Sequence, residues 1–340
     1  MRLTGITLSK ICNDRSKMGV NMKVVGVSRF GGPEALRVFD VPAPHAGPGQ
    51  VRIRVRAASV NPGDRYLRNG ALGPTSPAPP YVPGMEAAGV IDEIGPGTVT
   101  DLRVGDRVMA ASNPTLPGGG AYAQYLALPV HAVAPAPAGT THAEAATLPM
   151  NGLTAQLALD LAGLSAGQTL AVTGAAGVVG GFATQMARAA GWVVVAVAAP
   201  ADEQLVRSLG ADTVVPRGAG AAQRILSTVP GGVDGVVDAA AVGSAAMAPA
   251  VRDGGVIVTL LGEGSQAIGP DELRRRSLRK LPAYVPEYMG DRSRLDALRS
   301  QVEAGGLTLR VAAAFPADRA AEAHRLMEAG GVRGRIVLEF

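Results

Sequence analysis

Apolar positions change their period several times along the chain, and the changes divide it. Leu170 to Thr173 is a short apolar, partly β-branched run, as in a strand covered on both faces. Gly174, Gly177, Gly180 and Gly181 follow, and from Phe182 to Ala190 apolar and small residues recur at helical spacing. Gly191 stands where that helix would end, and Trp192 to Val197 reads as a second buried strand. Strand, glycine turn, helix and strand make one βαβ unit, which belongs in a parallel sheet.

The alternation continues downstream. Ala201 to Leu209 is a predicted helix ended by Gly210, and Thr213 to Val215 a third apolar run. Gly235 to Val237, between Asp234 and Asp238, and Val256 to Leu261 supply a fourth and a fifth. With a helix over Ala143 to Leu164 leading in, this predicts a doubly wound domain over residues 147–288. From Met22 to about Ala146 the pattern is instead all-β, with short apolar runs between Gly/Pro turns and strict alternation over Val51 to Val55. That predicts a small barrel or sandwich. The tail returns to strand (Leu309 to Ala313), helix (Ala317 to Ala329) and a closing strand (Gly334 to Leu338). Residues 1–21 precede the first strand-like run and are expected to be a disordered extension or an upstream start.

The glycine turn carries candidate chemistry. Glycines let a backbone approach a pyrophosphate, and a helix starting near Val178 would aim its free N–H groups and dipole at that charge. The strand–turn–helix context makes Gly174 to Gly180 a dinucleotide site. An NAD site usually places an acid at the tip of the second strand. Here the tip is Val197-Ala198-Ala199-Pro200, with no carboxylate before Asp202 and Glu203 in the next helix, and Arg207 and Arg217 nearby. That combination favours the 2′-phosphate of NADP (NADPH).

Composition narrows the classes. The 340 residues suffice for two domains, and 47% hydrophobic with 18% charged residues describes a globular chain. No apolar run reaches the roughly 18–20 residues of a membrane span, and the N-terminal stretch does not read as a secretory signal. One cysteine, Cys12, excludes internal disulfides and multi-cysteine zinc sites and agrees with a cytoplasmic location. A net charge of +4 does not by itself imply nucleic acid, and the basic run Arg274 to Lys280, without interleaved aromatics, reads as a solvated face.

Taken in order, these parts resemble the medium-chain dehydrogenase/reductase superfamily, and within it the zinc-free quinone oxidoreductase, or zeta-crystallin-like, branch. The similar segments are Asn61 to Tyr66, Pro83 to Val90, Gly105 to Val108, Asn151 to Ala155, Gly174 to Gly180 and Gly334 to Leu338. The resemblance implies an α/β chain: a GroES-like β-barrel domain (22–146 and 289–340) and a Rossmann doubly wound parallel sheet (147–288). It implies Asn61 and Tyr66 as catalytic hydrogen-bond donors. Cofactor contacts are expected from Thr154, Gly174, Ala175, Ala176, Gly177, Val178, Val179, Gly180, Arg217, Leu261 and Arg335, the last where lysine is common. It also implies a homodimer, its sheets paired at the strand-like Ala283-Tyr284-Val285.

No metal is expected. Asn61 stands where the zinc enzymes of the superfamily place a cysteine, and Met85 precedes Glu86 where they have histidine; His45, His131, His142 and His324 are scattered without ligand spacing. Without a Lewis acid, alkoxide chemistry is disfavoured, whereas hydride addition to a quinone or α,β-unsaturated carbonyl spreads the developing charge over the substrate. The expected activity is therefore NADPH-dependent reduction of such a small molecule. The alternatives are an enoyl-thioester reductase, although Asn69 to Gly73 lacks the tyrosine some relatives carry, and an NADPH-binding regulatory or RNA-binding protein.

Overall fold

The computed structural model describes residues 20–76, 78–260, 262 and 264–340, and the statements below concern those residues. The expected extension and Cys12 lie outside them, except Val20 and Asn21, and Asn21 already opens the first strand. Strands β1 (Asn21–Gly26) and β2 (Arg37–Pro42) form an antiparallel pair. The spine of the next sheet is β3 (Gln50–Val60), where Val51, Ile53 and Val55 point inward as the alternation predicts. Helix α1 (Pro62–Arg68) follows at once, with Pro62 in the first turn, where a missing N–H is harmless. This helix was absent from the all-β pattern.

Next come β4 (Glu86–Ile94), β5 (Arg107–Ala111), β6 (Tyr125–Pro129) and β7 (Val133–Pro135). Strand β3 pairs antiparallel with both β4 and β6, and its register against β4 shifts near Ile53 and Ala57. Such irregularities bend a strand, which lets one long β3 pair with β15, β4 and β6 along its length. Where one helix was expected over Ala143 to Leu164, there are two, α2 (His142–Ala145) and α3 (Pro149–Ala162). Pro149 cannot donate to a preceding carbonyl, so it starts a new helix.

The second unit runs β8 (Thr169–Thr173), α4 (Val178–Ala189), β9 (Val193–Ala198), α5 (Glu203–Ser208), β10 (Thr213–Pro216) and α6 (Ala221–Thr228). It continues with β11 (Val233–Asp238), α7 (Ser244–Met247), β12 (Val251–Thr259), α8 (Pro270–Arg275) and β13 (Arg279–Pro282). Its strands lie in the order β10-β9-β8-β11-β12-β13, all parallel. The chain reverses its direction of travel between β8 and β11, and ligands bind in the crevice such a reversal opens at the strands' carboxyl ends.

Two expectations need correction here. The sixth strand is Arg279–Pro282, built from the end of the basic run, while Ala283 to Val285 is not strand and Val285 opens a single 3₁₀ turn. Arg279 and Lys280 hid this edge strand, since only one side of it is paired. The basic run is also not one face. Arg274 and Arg275 pair with acids on their own helix, whereas the Arg276 guanidinium folds under β12 and donates to the Ala248 carbonyl at 2.8 Å.

The tail comprises α9 (Arg292–Glu303), β14 (Val311–Pro316), α10 (Ala320–Ala329) and β15 (Arg335–Glu339). Helix α9 buries Leu295 and Leu298; Gly152 of α3 leaves the room, since a Cβ there would sit 2.8 Å from Leu298 Cδ1. Strand β15 pairs antiparallel with β3, Ile336 opposite Val60, which returns the tail to the first domain and brings Arg335 beside the start of α1. No helix among the described residues is long and apolar enough to cross a membrane.

Candidate functional site

The glycines of the turn have separate tasks. Gly174 ends β8 with φ +61°, a left-handed backbone that favours glycine. Gly180 packs the start of α4 onto the turn, because a Cβ there would lie 2.3 Å from the Gly174 carbonyl oxygen. At Gly177 a Cβ would meet that same oxygen at 3.1 Å and nothing else within 4 Å, so its open side faces the crevice. From the tail, Arg310 donates to the Ala176 carbonyl at 3.0 Å and the Gly177 carbonyl at 2.7 Å, fixing the turn and adding a positive charge beneath it. Across the crevice, Thr173 Oγ1 donates to Asp238 at 2.5 Å, and Asp238 accepts the Gly243 N–H at 2.8 Å, tying together the loops after β8 and β11.

A cavity of about 870 Å³ runs between the two domains. Of the residues expected from sequence, Asn61, Thr154, Gly174, Ala176, Gly177, Val178, Val179, Gly180, Arg217 and Arg335 line it. Ala175 is fully buried behind the turn and does not. Tyr66 is not brought to the cavity: it lies on α1 with the Arg65 guanidinium 5.1 Å over its ring. Leu261 lies outside the described residues. The wall opposite the turn is apolar, with Leu72, Met85, Pro114, Val285 and Met289.

At the inner end, Asn61 is the N-cap residue of α1 and almost fully buried. Its Nδ2 donates to Glu86 Oε1 at 3.1 Å, and Asn151 Nδ2 donates to the same oxygen at 2.6 Å. The Met150 N–H donates to Glu86 Oε2 at 2.8 Å. One buried carboxylate thus sets the orientation of two cavity-lining amides. Arg335 donates to Asn151 Oδ1, while its buried Nε has no partner among the described residues. Burial pushes the Glu86 carboxyl up to about 7, against the opposing pull of Arg335.

A second buried network holds the other side of α1. Asp64 accepts the Asn61 N–H at 2.8 Å, the Gly84 N–H at 2.9 Å and the Tyr122 hydroxyl at 2.9 Å. Burial raises it to about 6. His324 of α10 lies 3.1 Å from the Tyr122 hydroxyl through Nε2 and 3.0 Å from Arg68 through Nδ1. Arginine only donates, so Nδ1 accepts and Nε2 carries the proton. Burial and then Arg68 depress His324 to about 3, which keeps it neutral. This network fixes Gly84, and through it the segment that delivers Glu86, relative to Asn61.

The donor set does not suit zinc. The Asn61 amide is engaged by Glu86, Met85 packs on Gly63, and Glu86 is occupied by three N–H donors. Among the described residues no three His, Cys, Asp or Glu side chains form a metal-binding group.

Of three charged residues at the outer end, Asp202 stands at the spacing of an acid that follows a dinucleotide turn, whereas Arg310 and Arg333 carried no local signal. Asp202, dismissed as belonging to the next helix, lines the cavity from a turn before α5, with Arg333 Nε 2.5 Å from its Oδ1. Arg333 and Arg310 come from the tail, more than a hundred residues away in sequence. The tip of β9 itself carries no acid, as expected; what the sequence did not show is that Asp202, in the turn that follows, faces the cavity and is neutralised by an arginine from the other domain.

The fold and this site define a pyridine-nucleotide dehydrogenase with a GroES-like domain. Residues 47–138 match the alcohol dehydrogenase GroES-like domain family and residues 209–338 the zinc-binding dehydrogenase family. A quinone oxidoreductase of Lama guanicoe is 31% identical over 93% of this chain and 97% of its own. The chloroplastic NADPH-dependent alkenal/one oxidoreductase of Arabidopsis thaliana is 32% identical over 93% of this chain and 79% of its own. A solved NAD-dependent alcohol dehydrogenase superposes with a TM-score of 0.84 at 31% identity, covering 94% of this chain and all of the other. The chain belongs to the quinone oxidoreductase family, the zeta-crystallin-like branch of the medium-chain dehydrogenases/reductases, and is an oxidoreductase.

Proposed function

We propose that this enzyme uses NADPH to reduce a quinone or an α,β-unsaturated carbonyl, without a metal. The observation that carries the reading is the continuity of one cavity from the open face of Gly177 to the buried amide of Asn61. A nicotinamide held in that cavity supplies a hydride. The turn and α4 receive the pyrophosphate, and Arg310 and Arg335 add positive charge along the way. Arg217 and Arg333 outnumber Asp202 at the far end, which favours an extra phosphate. Asn61, oriented by Glu86, has one N–H left to stabilise charge developing on the substrate oxygen, and the apolar wall excludes water around it. The names of the two relatives support the substrate class. Should the expected homodimer form, β13 is the unpaired edge it would use.

The test is NADPH oxidation against a panel of quinones, enones and simple alcohols or aldehydes, before and after exhaustive chelation. Turnover confined to quinones and enones and insensitive to chelation is expected. Loss of activity on chelation, with recovery on adding zinc, would overturn it.

A further inference from the structure

Resting on the dinucleotide reading above, we propose that Arg333, acting on Asp202, decides which dinucleotide the cavity prefers. Asp202 stands 22 residues after Gly180, the separation at which an acid normally takes the ribose hydroxyls of NAD. Its main-chain N–H donates to the Ala199 carbonyl at 2.9 Å, which folds it back beneath the tip of β9. Its side chain is only 10% exposed and lines the cavity. Left bare, that carboxylate would accept a ribose 2′-hydroxyl and repel a 2′-phosphate.

It is not bare. Arg333 reaches across from the segment before β15 and places Nε 2.5 Å from Asp202 Oδ1. Its Nη1 touches only the Val332 carbonyl, at 3.4 Å, and its Nη2 makes no hydrogen bond among the described residues. A guanidinium has five N–H donors in a fixed fork, so it serves a carboxylate with one edge and a phosphate with another. Arg217, exposed just past β10 and without an ion-pair partner among the described residues, supplies a second cation on the same cavity wall. Arg333 therefore cancels the repulsion from Asp202 and also offers donors to a 2′-phosphate. The chain keeps an acid in the NAD position and overrides it from the other domain.

The experiment is a set of cofactor dissociation constants, for NADPH and for NADH, on the parent and on Arg333→Ala, Arg333→Lys, Asp202→Asn and the double variant. The ratio of the two constants is the readout, because a general folding or domain-closure defect weakens both cofactors alike. Arg333→Ala should cost about tenfold or more in NADPH affinity, the size of a lost charge-assisted hydrogen bond, and leave NADH unchanged or tighter. Asp202→Asn should move the ratio further toward NADPH, the double variant should recover part of the Arg333→Ala loss, and Arg333→Lys should keep most of the preference. Equal weakening of both cofactors, or an unchanged ratio in the single variants, would overturn the proposal and leave the pair as a strut between domains. Its failure is separable from that of the parent reading. Equal parent affinities would sink the NADPH assignment whatever the variants do, whereas a parent that prefers NADPH with variants at the same ratio would sink this inference alone.

Discussion

Asn61 Nδ2 lies 3.1 Å from Glu86 Oε1, so an amide that lines the cavity is held by a carboxylate that does not line it. A carboxylate accepts and never donates when ionised, so the Asn61 amide must present its nitrogen to Glu86 and keep its remaining N–H for the cavity. Glu86 acts through Asn61 and Asn151 as a positioning residue.

Asn61→Ala removes the proposed donor without touching the glycine turn. Turnover should fall roughly tenfold, less than the 10²-fold or more typical of a concentrated oxyanion, because a quinone or enone spreads the charge. Cofactor affinity should stay nearly constant. The checks are kcat with the best substrate and a fluorescence titration with NADPH. Full turnover in the variant would remove Asn61 from the chemistry.

Glu86 makes stability depend on pH in a defined direction. Its folded pKa of about 7 lies above the ordinary 4.5, so its contribution is complete below about pH 4.5 and is lost as pH rises through 7. The full swing is on the order of 3 kcal/mol. Asp64 acts in the same sense up to about pH 6. Unfolding midpoints between pH 5 and 8 should show a decline that Glu86→Gln flattens most above pH 6, where the contribution of Asp64 is fading. An unchanged slope in Glu86→Gln would place its ionisation elsewhere.

Valine should have different effects at the two inner glycines. At Gly180 its Cβ would lie 2.3 Å from the Gly174 oxygen, so the variant should lose stability and unfold at lower denaturant. At Gly177 the open side faces the cavity, so Gly177→Val should stay folded and lose NADPH affinity by an order of magnitude or more. Circular dichroism melts and dissociation constants separate the two. Equal behaviour would mean the turn does not approach a cofactor at Gly177.

What was legible in the sequence follows from how local each signal is. The βαβ unit announced itself because strands covered on both faces are unbroken apolar runs and because turn glycines sit next to them. Asn61 and Glu86 stood within segments that matched a known branch, although only the folded chain shows that one orients the other. Strand β13 escaped because an edge strand tolerates Arg279 and Lys280, and α9 because its buried positions are only Leu295 and Leu298 in an otherwise charged helix. Arg310, Arg333 and Asp202 could not be paired by reading along the chain: β15 closes on β3, and that closure, not sequence spacing, carries the tail's arginines to the nucleotide crevice. Tyr66 sits on α1 beside the cavity lining rather than in it, with the Arg65 guanidinium over its ring, because the segment after Asn61 is a helix and not the turn its composition suggested.

Direct hydride transfer inside this cavity can be followed by turning over an enone with NADPH deuterated at the transferring C4 position. The product is then analysed by mass spectrometry and NMR. The expected product carries one deuterium at the β-carbon and a solvent-derived proton at the α-carbon. Product without deuterium at the β-carbon, or deuterium on the carbonyl carbon of an allylic alcohol, would contradict direct hydride transfer.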